Sequence, residues 1–197
     1  LVLTSGSASQ TVNVNAAIST IKYTASGSAV SIKVDGLPNG VTATVSGLVA
    51  TISGKPSEVG TFNFSVTATN NESKTTVLSG KIVVNAVAPV ITKPASTTIS
   101  ATQGVAITPI TFSSDVAATF NVTGLPEGLS TTTAADGKSV TISGTPTGYG
   151  SSNFTVSATA YGKTSSVSGS VTVAQELPTL VLTSGSASQT VNVNAAI

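Results

Sequence analysis

Hydrophobic and polar residues alternate with a period of two along most of this chain. In residues 62–69 the even positions hold Phe, Phe, Val and Ala, and the odd positions hold Asn, Ser, Thr and Thr. This alternation predicts a β-strand that buries one face and leaves the other in water. The same pattern predicts inward-facing residues at Val12, Val14, Ile21, Tyr23, Val30, Ile32, Val34, Ile82, Val84, Ile107, Phe120, Val122, Val140, Ile142, Phe154, Val156, Ala158, Val171 and Val173.

Turn residues separate these predicted strands at short intervals. Ser-Gly-Ser at 26–28, Pro-Asn-Gly at 38–40 and Asp-Gly at 136–137 each contain residues that favour turns. Apolar residues at sustained spacings of three and four, which would indicate helices, are missing from the sequence. The pattern therefore predicts an all-β chain of the sandwich type.

The first 18 residues recur without substitution as the last 18. Leu1–Ile18 and Leu180–Ile197 both read LVLTSGSASQTVNVNAAI, at an offset of 179 residues. Chance agreement over 18 residues is negligible, so the chain contains one repeat unit and the start of the next. Such periodicity is the sequence signature of a tandem array.

A weaker repeat lies inside this unit. The sequence GLPNG at 36–40 corresponds to GLPEG at 124–128, and TISGKP at 51–56 corresponds to TISGTP at 141–146. The strand NFSVTAT at 63–69 corresponds to NFTVSAT at 153–159. We therefore predict two domains of about 90 residues, 1–87 and 88–178, followed by the opening strands of a third, 179–197.

The repeated Gly-Leu-Pro-x-Gly and Ile-Ser-Gly-x-Pro sequences predict turns at the ends of strands. In the first, we expect Pro38 to take the first central position of a β-turn and Gly40 its last position. The leading Gly36 would allow a bulge or a positive φ. In the second, Gly54 and Pro56 would end a strand and begin a loop.

The order GLPxG, ISGxPxxxG and NFxVxAT resembles immunoglobulin-like domains found in tandem on bacterial surface proteins, which are related in pattern to the cadherin-like module of dystroglycan. The resemblance implies seven-stranded sandwiches joined end to end as spacers or adhesive stalks. The fold class we predict is two tandem immunoglobulin-like β-sandwiches plus the first strands of a third. Cadherins hold calcium through clustered acidic motifs, but the seven Asp and Glu residues of this chain are isolated, so we predict no cofactor and no metal.

Composition excludes most other classes of protein. The chain has no Cys and no His, only 8% of its residues are charged, and its net charge is +1. Its eight basic residues are all Lys and lie singly, so a nucleic-acid partner is not expected. With neither imidazole nor thiolate available, we predict that the chain is not an enzyme. The sequence has no apolar run that could span a membrane. We expect an extracellular or cell-surface protein of bacterial type.

Aromatic residues supply few candidates for surface contacts. Most are Phe on apolar strand faces, whereas Tyr149 and Tyr161 adjoin turn glycines in the second predicted domain. We predict that these two tyrosines make surface contacts. Four Asn-x-Ser/Thr triplets match the glycosylation pattern, but we interpret them as polar strand faces of a Thr-rich protein.

The duplicated segment is the candidate for self-association. In one interpretation, the second copy pairs with a sheet edge of an identical chain, head to tail. In the other, the sequence merely spans a repeat boundary of a longer protein. The candidate strand residues are Val2, Leu3, Val12, Val14, Val181, Leu182, Val191 and Val193.

These observations predict a non-enzymatic structural repeat of an extracellular stalk, adhesin or filament. Its partners would be neighbouring repeats of the same protein or identical chains. The first alternative is a module that binds a glycan or a host protein through its domain-end loops. The second is an accessory domain beside a catalytic domain.

Overall fold

The computed structural model describes residues 1–178, 180–181 and 183–185, and these residues form strands and loops without a helix. The first group of strands is β1 Val2–Ser5, β2 Ser9–Asn13, β3 Ile21–Thr24, β4 Ala29–Asp35, β5 Val41–Ser46, β6 Val49–Gly54, β7 Gly60–Asn70 and β8 Thr75–Asn85. The second group is β9 Ile91–Thr92, β10 Thr98–Thr102, β11 Ile110–Ser114, β12 Thr119–Thr123, β13 Leu129–Thr133, β14 Ser139–Gly144, β15 Gly150–Ala160 and β16 Lys163–Ala174.

Each group of strands forms two four-stranded sheets. The first group gives the orders β1-β3-β6-β5 and β2-β8-β7-β4, and the second gives β9-β11-β14-β13 and β10-β16-β15-β12. All pairs are antiparallel except β2 with β8 and β10 with β16. This order of strands in two facing sheets is that of immunoglobulin-like sandwiches, so the predicted pair of tandem sandwiches is confirmed. The predicted opening strands of a third sandwich lie largely outside the described residues.

The chain begins each sandwich by crossing from one sheet to the other. β1 pairs with β3, and after Gly6 the chain joins the opposite sheet, where β2 pairs with β8. Gly6 has φ 79°, and a Cβ at this position would overlap the backbone oxygen of Thr20. The first strand is thus split in two, and each sandwich has eight strands rather than the seven that the resemblance implied.

The two sandwiches have separate cores of the same design. In the first, Tyr23 and Phe64 meet edge to face with ring centroids 6.4 Å apart, and in the second Phe112 and Phe154 do so at 6.1 Å. The Phe64 ring lies over Gly80, its partner on the neighbouring strand. Phe154 lies over Gly169 in the same way. Aromatic rings therefore fill the space that these two glycines leave.

The prediction that Val30 faces the core is wrong, because its side chain is 52% exposed. The pairing of β4 with β7 shifts register between Ala29 and Ser31, which leaves Val30 without a partner. A bulge of this kind inserts one extra residue and reverses the alternation of faces. Ile32, beyond the bulge, is buried as predicted.

The turn in Gly-Leu-Pro-x-Gly lies one residue further along than we predicted. The N–H of Val41 donates to the carbonyl of Pro38 at 3.1 Å, so Pro38 is the first residue of the turn and Gly40 the third. Gly40 has φ 83°, which the third position of a type II turn requires. Gly36 has φ 85°, in agreement with the prediction for that residue.

Candidate functional site

Two regions of the described structure could carry function: the segment formed by residues 1–18 and the joint between the two sandwiches. Residues 1–18, called here the entry segment, contribute an edge strand to both sheets of the first sandwich. β1 pairs antiparallel with β3, and β2 pairs parallel with β8 over five residue pairs. The entry segment therefore completes both sheets.

The end of the entry segment is tied to the loops of the first sandwich. The N–H of Val14 donates to the carbonyl of Asn85 at 3.0 Å, and the N–H of Ile18 donates to that of Gly54 at 3.0 Å. Val14 and Ile18 are 5% and 6% exposed. The side chain of Gln10 donates to the Ser19 carbonyl at 2.7 Å and accepts the Ser19 N–H at 2.8 Å. The segment thus fills core space as well as pairing with edges.

The predicted self-association residues of the entry segment take different positions. Val2 and Leu3 are 54% and 39% exposed on β1, whereas Val12 is half-buried and Val14 is buried. In the second copy, Val181 is 72% exposed. Leu182, Val191 and Val193 lie outside the described residues.

At the joint between the sandwiches, Asp115, which directly follows β11, binds the residue before β9. The Asp115 carboxylate accepts the N–H of Val90 at 2.7 Å, and the Asp115 N–H donates to the Val90 carbonyl at 3.3 Å. Both backbone groups of Val90 are therefore bound by one residue. Pro89, just before it, is buried. These contacts fix the end of the short connection, residues 86–90, against the second sandwich.

Tyr161 lies at the same joint. A cavity of about 190 Å³ is lined by residues of the first sandwich, the connection and the second sandwich: Val14, Asn15, Val87, Ala88, Pro89, Asp115, Val116 and Tyr161. Tyr161 is in the two-residue turn between β15 and β16, where Ala160 pairs with Lys163. It has φ 52°, a conformation unusual for a bulky residue, and is 39% exposed.

The other predicted contact residue, Tyr149, is apart from the joint and 64% exposed. The structure therefore does not bring the two predicted tyrosines together. Asp115 was not identified as a functional residue from sequence. Its partner is 25 residues away, and a single Asp after a strand gives no signal of such a contact.

The electrostatics of the described residues are weak. The ion pairs Lys33–Asp35, at 2.8 Å, and Lys74–Glu72, at 2.9 Å, are both exposed. The described residues contain no cluster of acidic side chains that could hold a metal ion.

Burial raises the pKa of the Tyr23 hydroxyl above its ordinary value. No helix in the described part of the chain could span a membrane.

The fold and these two regions define the class of protein: a tandem array of immunoglobulin-like sandwiches. Residues 1–85 match the family model described as "Putative Ig domain". This match spans the first sandwich, and the predicted family resemblance is confirmed for these residues. No curated protein matches the chain.

Solved structures with similar folds include two with low sequence identity. An endo-fucoidan hydrolase of glycoside hydrolase family 107 is 17% identical, with a TM-score of 0.44. The match covers 89% of this chain but only 29% of the hydrolase chain. The titin domains z1z2, solved in complex with telethonin, are 14% identical with a TM-score of 0.49, and the match covers 89% of this chain and 97% of that one.

Proposed function

We propose that this chain is a non-enzymatic spacer repeat in an extended array on the surface of a bacterial cell. The observation that carries the proposal is the joint. A connection of five residues, 86–90, leaves little freedom between the sandwiches, and Asp115 binds both backbone groups of its last residue. A joint of this kind limits bending, and limited bending keeps an array extended.

The dimensions of the strands support a role in setting length. The longest strand, β16, has 12 residues, which corresponds to about 40 Å at about 3.3 Å per residue. Each sandwich would thus add about 40 Å to an array, so a pair would add about 80 Å. The two identical 18-residue segments lie 179 residues apart, which is the length of one pair of sandwiches, and this spacing fits a role in adding length.

The surface of the second sandwich supports a non-enzymatic role. On the outer face of β15 and β16, the hydroxyls of Ser157 and Ser166 lie 2.8 Å apart, as do those of Thr159 and Thr164. These hydroxyls hydrogen-bond to each other across the strands and present no charged group. Hydroxyl pairs of this kind make the sheet soluble without offering a nucleophile activated by a base.

The experiment measures the distribution of distances between two dyes in single chains. One dye is attached at Thr44 on β5 of the first sandwich, and the other at Thr131 on β13 of the second. We compare the unchanged chain with Asp115→Ala and Tyr161→Asn. Asn tolerates the positive φ of the turn, so the second variant removes the ring without disturbing the turn. We expect both variants to broaden the distribution.

Two controls accompany these variants. Asp115→Asn keeps an oxygen that accepts the Val90 N–H, and Tyr149→Asn removes an exposed ring away from the joint. Both should leave the distribution narrow. A broad distribution in the unchanged chain, or no change in Asp115→Ala and Tyr161→Asn, would contradict the proposal.

A binding module is the second candidate function, favoured by the 64% exposure of Tyr149. An exposed aromatic ring next to a glycine turn can stack on the apolar face of a sugar. The proposal predicts that neutral glycans shift the fluorescence of this tyrosine and that Tyr149→Ala abolishes the shift. Equal shifts in both proteins would exclude Tyr149 as the binding residue.

A further inference from the structure

We propose that the second copy of the entry segment, Leu180–Ile197, takes the place of Leu1–Ile18 in the first sandwich of another copy of this chain. Chains would then join head to tail by exchanging one strand segment. This inference goes beyond the proposed spacer function and does not depend on it. It requires only the fold of the first sandwich and the duplicated sequence.

The place to be filled is well defined in the first sandwich. It consists of the edge of β3 that β1 covers, the edge of β8 that β2 covers and the core space that Val14 and Ile18 occupy. Backbone groups along β8 receive the segment in parallel register, from Ser9 opposite Lys81 to Asn13 opposite Asn85. A segment with the required alternation of side chains can therefore dock by strand addition and core filling together.

The second copy meets these requirements because its sequence is identical. At an offset of 179, Val193 corresponds to Val14 and Ile197 corresponds to Ile18. An exchanged segment would make the same backbone hydrogen bonds and bury the same side chains as the original. Exchange between chains therefore replaces each lost contact with an equal one, as in domain swapping.

The described part of the second copy already has one feature of the docked form. Gly185 has φ 76°, close to the 79° of Gly6, where the entry segment crosses between sheets. Leu180 is 101% exposed, whereas its counterpart Leu1 packs against the core of the first sandwich. Docking on another chain would give Leu180 the burial that Leu1 has.

The acceptor is another chain because the second sandwich separates the two copies within one chain. The second copy follows β16, whose 12 residues extend about 40 Å. The strands that accept the segment, β3 and β8, belong to the sandwich beyond the joint. The interface is therefore heterologous, with one chain's second copy of the entry segment in the next chain's first sandwich, and it can propagate as an open chain.

The first test is a disulfide crosslink, which is specific because the protein has no Cys of its own. In the first sandwich Thr11 lies opposite Val83, so an exchanged Thr190 would take that position. The full chain carrying Val83→Cys and Thr190→Cys is warmed to the onset of unfolding, cooled at high protein concentration and oxidised. We expect a ladder of linked chains on a denaturing gel without reductant.

The matched control carries Val83→Cys with Ser168→Cys, an exposed position on β16 that is paired with β15. Random collisions between chains would link this pair as often as the first pair. If exchange of the segment causes the linking, the control pair should give no ladder. The absence of a ladder from the first pair, or an equal ladder from both pairs, would overturn the proposal.

The second test changes one copy of the segment at a time. Val193→Asp damages only the donor, so we expect assembly to be lost in sedimentation velocity. Val14→Asp damages only the resident segment, so we expect assembly to increase as intact second copies replace it.

Because Val14→Asp could prevent folding, a labelled peptide with the sequence of Leu180–Ile197 is also added. We expect the peptide to bind this variant and restore the strand signal in circular dichroism. Assembly by Val193→Asp, or failure of the peptide to bind, would refute the exchange.

Discussion

The core of the first sandwich has a tyrosine hydroxyl, that of Tyr23, at the position where the second sandwich has Phe112. Tyr23 is 1% exposed, and its hydroxyl has no hydrogen-bond partner among the residues that the structure describes. At the corresponding place in the second sandwich, Phe112 packs on Phe154 with nearly the same ring geometry, 80° between planes against 79°. Tyr23→Phe would therefore remove the hydroxyl and keep the ring contact.

We expect Tyr23→Phe to stabilise the first sandwich. An unpaired buried hydroxyl costs about 1–3 kcal/mol relative to its state in water. Loss of the oxygen leaves a small void that offsets part of this gain, so we expect a net gain of about 1 kcal/mol. For a domain of this size, that gain raises the midpoint of thermal unfolding by about 4–8 °C.

Scanning calorimetry of the full chain can assign the change to one sandwich. The transition of the first sandwich should move upward in Tyr23→Phe, while that of the second stays in place. The reverse substitution, Phe112→Tyr, is the matched control, and it should lower the second transition by a similar amount. If Tyr23→Phe lowers the first transition, the hydroxyl contributes stability and the reasoning is wrong.

Three further predictions concern the same cores. A Cβ on Gly80 would overlap the Phe64 ring, so Gly80→Ala should destabilise the first sandwich by about 1–3 kcal/mol in urea unfolding. Gly169→Ala should have the same effect on the second sandwich, whereas Gly148→Ala, with open space around the position, should change stability by less than about 0.5 kcal/mol. Equal effects at Gly80 and Gly148 would argue against ring packing as the cause. Burial raises the pKa of Tyr23, so the unfolded chain releases the hydroxyl proton at a lower pH than the folded chain does. The free energy of unfolding should therefore keep the full Tyr23 contribution below about pH 10 and lose it as the pH rises beyond that value. Tyr23→Phe should remove this part of the alkaline decline in a pH series, and an unchanged decline would exclude Tyr23 as its source.

Much of the fold could be predicted from sequence because the signals are local. A strand with one buried face must alternate residue types, and residues 62–69 do so without interruption. The internal repeats likewise require only comparison of the chain with itself. For these reasons the all-β class and the pair of sandwiches were predictable.

Other features depend on contacts between distant residues, and sequence patterns do not record those. The bulge that exposes Val30 arises from register with β7, and the split of the first strand depends on where the backbone around Gly6 meets Thr20. Asp115 acquired its role only through its contact with Val90.

The duplicated segment shows both sides of this division. The sequence by itself determined that Leu1–Ile18 and Leu180–Ile197 have identical side chains, and hence identical capacity to pair. The tertiary structure alone decided what that capacity is: the segment serves two sheets, crosses between them at Gly6 and fills the core with Val14. The physical reason is that strand propensity and alternation are properties of a segment, whereas an edge to pair with exists only after the other strands have assembled.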